Sequence, residues 1–153
     1  MDIKKFNSTE EYLNQVCRLN RTIDNKIADL LQLKELSYGI KAVSLNERVQ
    51  SSANFDKIGE ACARIDEAEK EINDAISEFI ETKNHIEKQI ESMDKEIHYT
   101  ILQLRYIKRN RFGKRYSFEE IAIEINNSYR NTTRLHKQAL IEFEELYGKE
   151  YLK

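Results

Sequence analysis

The sequence predicts an all-α protein: a long antiparallel helical hairpin or coiled coil, followed by a smaller module of shorter helices. Three observations predict it. Proline is absent and only four glycines occur in 153 residues, so few positions break a helix. Charged residues make up 34% and hydrophobic residues 40%, a mixture that suits long surface helices and is too apolar for general disorder. Apolar residues also recur at three- and four-residue steps over most of the chain. No apolar run approaches the roughly 18 residues of a membrane span, and the start "MDIKKFNSTEEY" lacks the apolar stretch of a signal peptide. The expected compartment is the cytoplasm, with no membrane partner.

The first element is a helix from about Thr9 to about Ser37. Ser8 or Thr9 with Glu11 reads as its starting cap. Tyr12, Val16, Leu19, Ile23, Ile27, Leu30 and Leu33 form one apolar stripe, and Gly39 ends the pattern. Residues 38–55 have no clear period and read as a connecting loop, with a short extended piece where Val43, Leu45 and Val49 alternate.

A second pattern begins near Phe55 and runs to Ile107. Its a positions are 58, 65, 72, 79, 86, 93, 100 and 107, and its d positions 62, 69, 76, 83, 90, 97 and 104; Glu69, Lys83 and Thr100 are the polar exceptions. A stripe this long implies a helix packed on another helix. At 1.5 Å per residue the first helix is about 45 Å long and the second about 75 Å, leaving about 30 Å uncovered. Ile86, Ile90, Met93, Ile97 and Leu104 lie there and are expected to join two copies of the chain as a homodimer. The competing arrangement folds the C-terminal module back over them. The expected organisation is a coiled-coil oligomerisation region over 1–98 and a second module over 99–153.

Nothing in the chain assembles into catalytic chemistry, so an enzyme is not expected. His85, His98 and His136 are scattered, no His/Cys cluster offers metal-ligand spacing, and Gly113 is isolated, so no glycine-rich loop cradles phosphate. No metal or cofactor is implied. Cys17 and Cys62 occupy core-like helical positions and are expected as buried, reduced thiols.

Charge is unevenly distributed. Residues 1–98 hold 14 Lys and Arg against 20 Asp and Glu, whereas residues 99–153 hold 11 against 7. The excess concentrates in "RYIKRNRFGKR", where Arg105, Lys108, Arg109, Arg111, Lys114 and Arg115 occur without an acid. Such a patch suits phosphate; a solvated helix end is the plainer alternative.

The most informative stretch is "SFEEIAIEINNSYRNTTRLHKQALIEFEEL". Ser117 with Glu120 forms a capping box for a short helix burying Ile121, Ala122 and Ile125. "NNS" breaks it: Asn tolerates the left-handed backbone of a tight turn, and Ser128 caps the next helix. That helix buries Thr132, Leu135, Ala139 and either Ile141 or Phe143. A short helix, a tight turn and a longer helix make a helix-turn-helix, whose second helix enters the major groove of double-stranded DNA. Tyr129, Arg130, Asn131, Thr133 and Arg134 are the candidate base readers. Lys108, Arg109, Arg111, Lys114, Arg115, Ser128 and Lys137 are the candidate phosphate contacts. The plainer alternative is an αα-hairpin with a solvated face. His136 suits phosphate contact and a packing or solvent role equally.

Residues 117–140 resemble region 4 of bacterial sigma factors, through "SFEEIA", Ser128 at the cap and "KQAL". Asn126 stands where that family usually has Gly, Asn127 where it has an apolar residue, and Thr132 where it has Val. More of the chain, through "QSS", "LRYI", "NNSYR" and "RLHKQAL", resembles the sigma-region-4-like transcriptional regulators of phages and prophages in Gram-positive bacteria, the ArpU-type late-gene activators. The resemblance implies promoter-region DNA binding and control of phage late genes, places "LRYI" (Leu104 to Ile107) in a helix packed behind the helix-turn-helix, and leaves contact with RNA polymerase open. Two other readings stay open: a phage small-terminase-like DNA-binding assembly subunit, and a coiled-coil adaptor without DNA binding.

Overall fold

The computed structural model describes residues 4–46 and 52–153, with side chains over 4–39 and 56–153. The described residues are all-α, with α1 (Thr9–Asn46), α2 (Ser52–Glu91), α3 (Glu96–Leu102), α4 (Phe118–Glu124) and α5 (Tyr129–Tyr151). A π-helical turn over Gln103–Ile107 continues α3. Two compact units result, one of residues 1–18 and 80–153 and one of residues 19–79. The expected boundary at 98/99 falls inside α3.

Both long helices differ from their expected lengths, and in opposite directions. α1 continues through Gly39 to Asn46, so the extended piece expected at Val43 and Leu45 is helix; Val49 lies outside the described residues. A single glycine costs a helix about 1 kcal/mol relative to alanine, which a long helix tolerates. α2 ends at Glu91 rather than near Ile107. There Ser92 Oγ donates to the Gln89 carbonyl (2.7 Å) and pairs with the Tyr147 hydroxyl, while Met93 N–H closes a tighter turn onto Ile90 O (3.1 Å). A serine that bonds local backbone offers the chain an alternative to continued helix. α1 and α2 are therefore 38 and 40 residues long, and the length mismatch that called for a second copy disappears.

In the unit of residues 19–79, Lys26 pairs with Glu71 and Lys34 with Glu69, both at 3.1 Å. Partner numbers fall as α1 numbers rise, the order of helices running in opposite directions. These pairs are surface contacts of small energetic weight; burial of Ile23 and Ile72 does more. The shielded positions of α2 depart from the expected d column only at its start; residues 76 and 83 are partly covered and Ile90 is buried. Residues 61, 68 and 75 are partly covered, whereas Cys62 and Glu69 are exposed. Ala61, Ala68 and Ala75 are small enough to sit inside the seam without standing out as hydrophobic, and Cys62 is a free, exposed cysteine rather than a buried one. Ile27, expected on the apolar stripe, is exposed, as is Leu31.

The other unit holds the larger core. Ile86, Ile90 and Met93 are buried within the chain, and Ile97 and Leu104 are partly buried. This corrects the expectation that they form an open seam: the first turns of α1 and the last turns of α5 meet the end of α2. Tyr12 donates to Gln89 Oε1 (2.7 Å), and Gln89 Nε2 donates to Glu150 (3.0 Å). The Tyr12 and Tyr151 rings stack 4.0 Å apart at 7°, with Phe6 meeting Tyr12 edge-on at 5.4 Å. Burial pushes the Tyr12 hydroxyl up to about 12. The backbone ties the two ends of this unit together: Phe6 N–H donates to Tyr151 O (2.8 Å), and Lys153 N–H donates to Phe6 O (3.2 Å).

Behind α4 and α5, the π-helical turn places Tyr106 and Ile107 in the core. Lys108 N–H reaches back five residues to Gln103 O (2.8 Å). The Tyr106 hydroxyl and His136 Nε2 are 2.8 Å apart, and Phe118 meets the imidazole edge-on at 4.9 Å. His136 is thus a packing residue turned away from solvent. Burial first, and the Arg105 and Arg115 charges second, lower it from 6.5 to about 4.

This packing makes stability depend on pH and on one core isoleucine. Between pH 6.5 and about 4 the unfolded chain binds a proton that folded His136 refuses. The contribution of this residue is therefore complete above about pH 7 and is lost as the pH falls through that window, by on the order of 2 kcal/mol. His136→Gln removes that part of the pH dependence, measured by urea unfolding at pH 7.5 and 4.5; an identical pH slope in the variant contradicts it. Ile90→Ala lowers stability by about 2–5 kcal/mol, with an unfolding midpoint independent of protein concentration. A midpoint that rises with concentration would instead place Ile90 between two copies.

Candidate nucleic-acid interface

The segment between the π-helical turn and α4 is a small hairpin rather than a helix end. Arg109 and Arg115 face each other in an antiparallel bridge. Gly113 N–H donates to Asn110 O (2.9 Å), and Asn110 N–H donates to Lys114 O (2.8 Å). Gly113 has φ +70, the left-handed residue that closes a three-residue hairpin loop. The Asn110 side chain braces the loop from inside: Oδ1 accepts from the N–H groups of Phe112 and Lys114, both at 3.0 Å.

Asn110 also joins the hairpin to α4, since its Nδ2 donates to Glu120 Oε1 (3.0 Å). The other Glu120 oxygen accepts from Ser117 N–H (2.8 Å), and Ser117 Oγ accepts from Glu120 N–H (3.2 Å), completing the capping box. The Ser117 N–H, with help from Asn110, holds the Glu120 carboxyl below the ordinary carboxylate range. One carboxylate thereby fixes both the start of α4 and the base of the hairpin.

Charge in this region divides into two populations. Lys108, Arg109, Arg111 and Lys114 are exposed, as the phosphate expectation requires. Arg115 is half-buried: its Nε donates to Arg105 O (3.3 Å), and its guanidinium lies 5.2 Å from the Tyr106 ring centre. Arg105 lies 4.3 Å over the Phe118 ring and donates to Tyr116 O (2.6 Å); burial and the neighbouring Arg115 lower its affinity for its proton. Arg115, a phosphate candidate in the sequence, is thus half-buried and braces the hairpin base, unlike the other four.

After α4, Asn126 takes φ 54, the left-handed conformation expected of the turn. Ser128 caps α5, its Oγ accepting from Asn131 N–H (3.1 Å). The hydroxyl is engaged in that cap, although the residue stays exposed. α5 buries Thr132, His136, Ala139 and Phe143. Of the two alternatives, Phe143 is the core residue and Ile141 is exposed. Tyr129, Arg130, Arg134 and Lys137 face solvent, Asn131 and Thr133 are partly covered, and Thr133 Oγ1 donates to Arg130 O (2.9 Å).

Asn131 has a role that its residue type did not reveal. Its Oδ1 accepts from both Nε (3.1 Å) and Nη2 (2.7 Å) of Arg134, while its Nδ2 donates to Asn127 Oδ1 (2.7 Å). Asn127 fixes the Asn131 amide, and Asn131 fixes the guanidinium. Among the described residues the Nη1 end of Arg134 has no hydrogen-bond partner, so a pre-set donor edge faces outward. The spacings 127, 131 and 134 are helical neighbours, which is the only sign of this chain in the sequence. Phe112 at the hairpin tip and Tyr129 at the start of α5 are also exposed, at 67% and 53%.

No residue from Ile125 to Ile141, and none from Ile97 to Phe118, is acidic. Two stretches without acids thus flank α4, the first of them tied to α4 through Glu120. No group of His, Cys, Asp and Glu among the described residues could hold a metal ion, and no described helix is long and apolar enough to cross a membrane. Comparison with protein families, curated proteins and solved structures finds no match to this chain.

Proposed function

We propose that this chain is a sequence-specific double-stranded DNA-binding transcriptional regulator, in which α4, the turn at Asn126 and α5 act as a helix-turn-helix. The first turns of α5 enter the major groove, and the hairpin cations meet the phosphate backbone. The observation that carries this reading is the division of α5 into two faces. Thr132, His136 and Ala139 are buried, while Arg130, Arg134 and Lys137 face solvent on a stretch without acids. A solvated helix face normally mixes both signs of charge; this one offers donors to an anion.

Arg134 is the leading base reader, because its free edge matches the paired acceptors of guanine. Asn131 supports it by fixing the guanidinium. The resemblance to sigma region 4 and to phage late-gene regulators supports a role in promoter-region control of phage genes. Each chain supplies one recognition helix, and the seam first expected to join two copies is used inside the chain.

The test is binding to duplexes selected by the protein from a random-sequence pool. Arg130→Ala and Arg134→Ala each weaken binding to the selected site by about 1–3 kcal/mol, and Arg134→Ala relaxes the preference for one guanine. Equal affinity for selected and unselected duplexes in the unsubstituted protein overturns the proposal. Neutralising Lys108, Arg109 and Lys114 together weakens binding to all duplexes alike. It also flattens log affinity against log salt, by about one unit for each phosphate that the hairpin no longer neutralises; an unchanged slope removes the hairpin from the interface.

A further inference from the structure

We propose that the Arg109–Arg115 hairpin is a minor-groove reader, with Phe112 entering the groove beside the site occupied by α5 and Arg111 lying alongside. The inference rests on the DNA-binding reading above and names what the hairpin does within it.

Phe112 is 67% exposed at the corner of the turn, where an aromatic ring has no part in the fold. The Arg111 guanidinium lies 4.8 Å from its ring centre, so the tip presents an apolar plate beside a cation. Lys108, Arg109 and Lys114 follow on the two arms, all exposed. An apolar side chain carried with arginine and lysine is the combination that minor-groove proteins insert against base steps.

The anchoring gives the tip a direction. The hairpin is bound to the capping box of α4 through Asn110 and Glu120. In a docked helix-turn-helix the first helix crosses the phosphate backbone, so a hairpin planted at the start of α4 stands over that backbone, where the adjacent minor groove opens. Asn110 holds the loop through two backbone bonds, so the tip is ordered before it meets a partner. An anionic membrane surface also attracts cations beside an aromatic ring. Stable membrane attachment draws on a wide apolar face, and Phe112 is the only apolar residue between Lys108 and Arg115 apart from Gly113. Charge and shape therefore favour duplex DNA.

Dimethyl sulfate footprinting reads both grooves at once, because it methylates guanine N7 in the major groove and adenine N3 in the minor groove. The probe is the duplex the protein selects from a random pool. The unsubstituted protein is expected to protect guanine N7 within the site and adenine N3 immediately beside it. Phe112→Ala and Arg111→Ala are expected to lose the adenine protection, keep the guanine protection and bind about tenfold more weakly, the low end for a side chain that stacks on a base. Both residues are exposed, and unchanged melting curves confirm that the variants fold. Guanine protection without adenine protection in the unsubstituted protein overturns this inference and leaves the helix-turn-helix reading standing. No protection in either groove overturns both. Unchanged duplex binding by Phe112→Ala, with loss of sedimentation on phosphatidylglycerol vesicles, overturns it in favour of a membrane.

Discussion

Everything that the C-terminal half of this chain presents outward depends on one buried stripe along α5. Thr132, His136, Ala139 and Phe143 are shielded at the three- and four-residue spacing of a single face, and Tyr151 continues it about two turns further on. Packing that face against α3, the π-helical turn and the first turns of α1 fixes the rotation of α5 about its own axis. Once the rotation is fixed, Tyr129, Arg130, Arg134 and Lys137 have nowhere to point except into solvent. The stripe is costly to disturb because it mixes shape with polarity: Thr132 Oγ1 donates to Ser128 O (2.8 Å), His136 pairs with Tyr106, and the Tyr151 hydroxyl lies 2.8 Å from Thr9 Oγ1. A rotated helix would part His136 from Tyr106 and Tyr151 from Thr9, leaving the Tyr106 and Thr9 hydroxyls buried without those partners.

The charges divide along the same line between inside and outside. Arg105 and Arg115 direct donors at carbonyl oxygens and lie over aromatic rings. They help hold His136 neutral and secure the base of the hairpin. The cations of the hairpin apart from Arg115, and those of α5, stay outside. Glu120, which ties the hairpin to the start of α4, is an acid whose oxygens are already occupied by Ser117 and Asn110. The polar surface is thus ordered by its own hydrogen bonds before any partner arrives, and the Asn127, Asn131 and Arg134 chain is the clearest case.

Much of this is legible in the sequence because its signals are local. The Ser117 and Glu120 capping box, the left-handed Asn126 and the Ser128 cap each depend on residues within one turn of each other, and so does the face of α5. The elements that differ from expectation share another origin. The heptad count runs through Ser92, because serine breaks a helix only when its hydroxyl finds local backbone, and no glycine or proline marks the place. The column of Cys62 and Glu69 outranks that of Ala61, Ala68 and Ala75 on hydrophobic spacing, because side-chain size reads as burial. "NRFG" merges into a helix end, although asparagine followed three residues later by glycine is a turn signal. The bracing role of Arg115 depends on Tyr106 and Arg105, a tertiary contact that spacing alone does not encode.

Titration of isotope-labelled protein with the selected duplex, followed through backbone amide shifts, tests the proposal that the outward face of α5 and the hairpin beside α4 meet duplex DNA as one surface. The largest changes are expected in Tyr129–Lys137 and Lys108–Lys114, with the amides of residues 19–39 and 56–79 unmoved. Changes centred on those two stretches of α1 and α2, or none in α5 at saturating duplex, would contradict it.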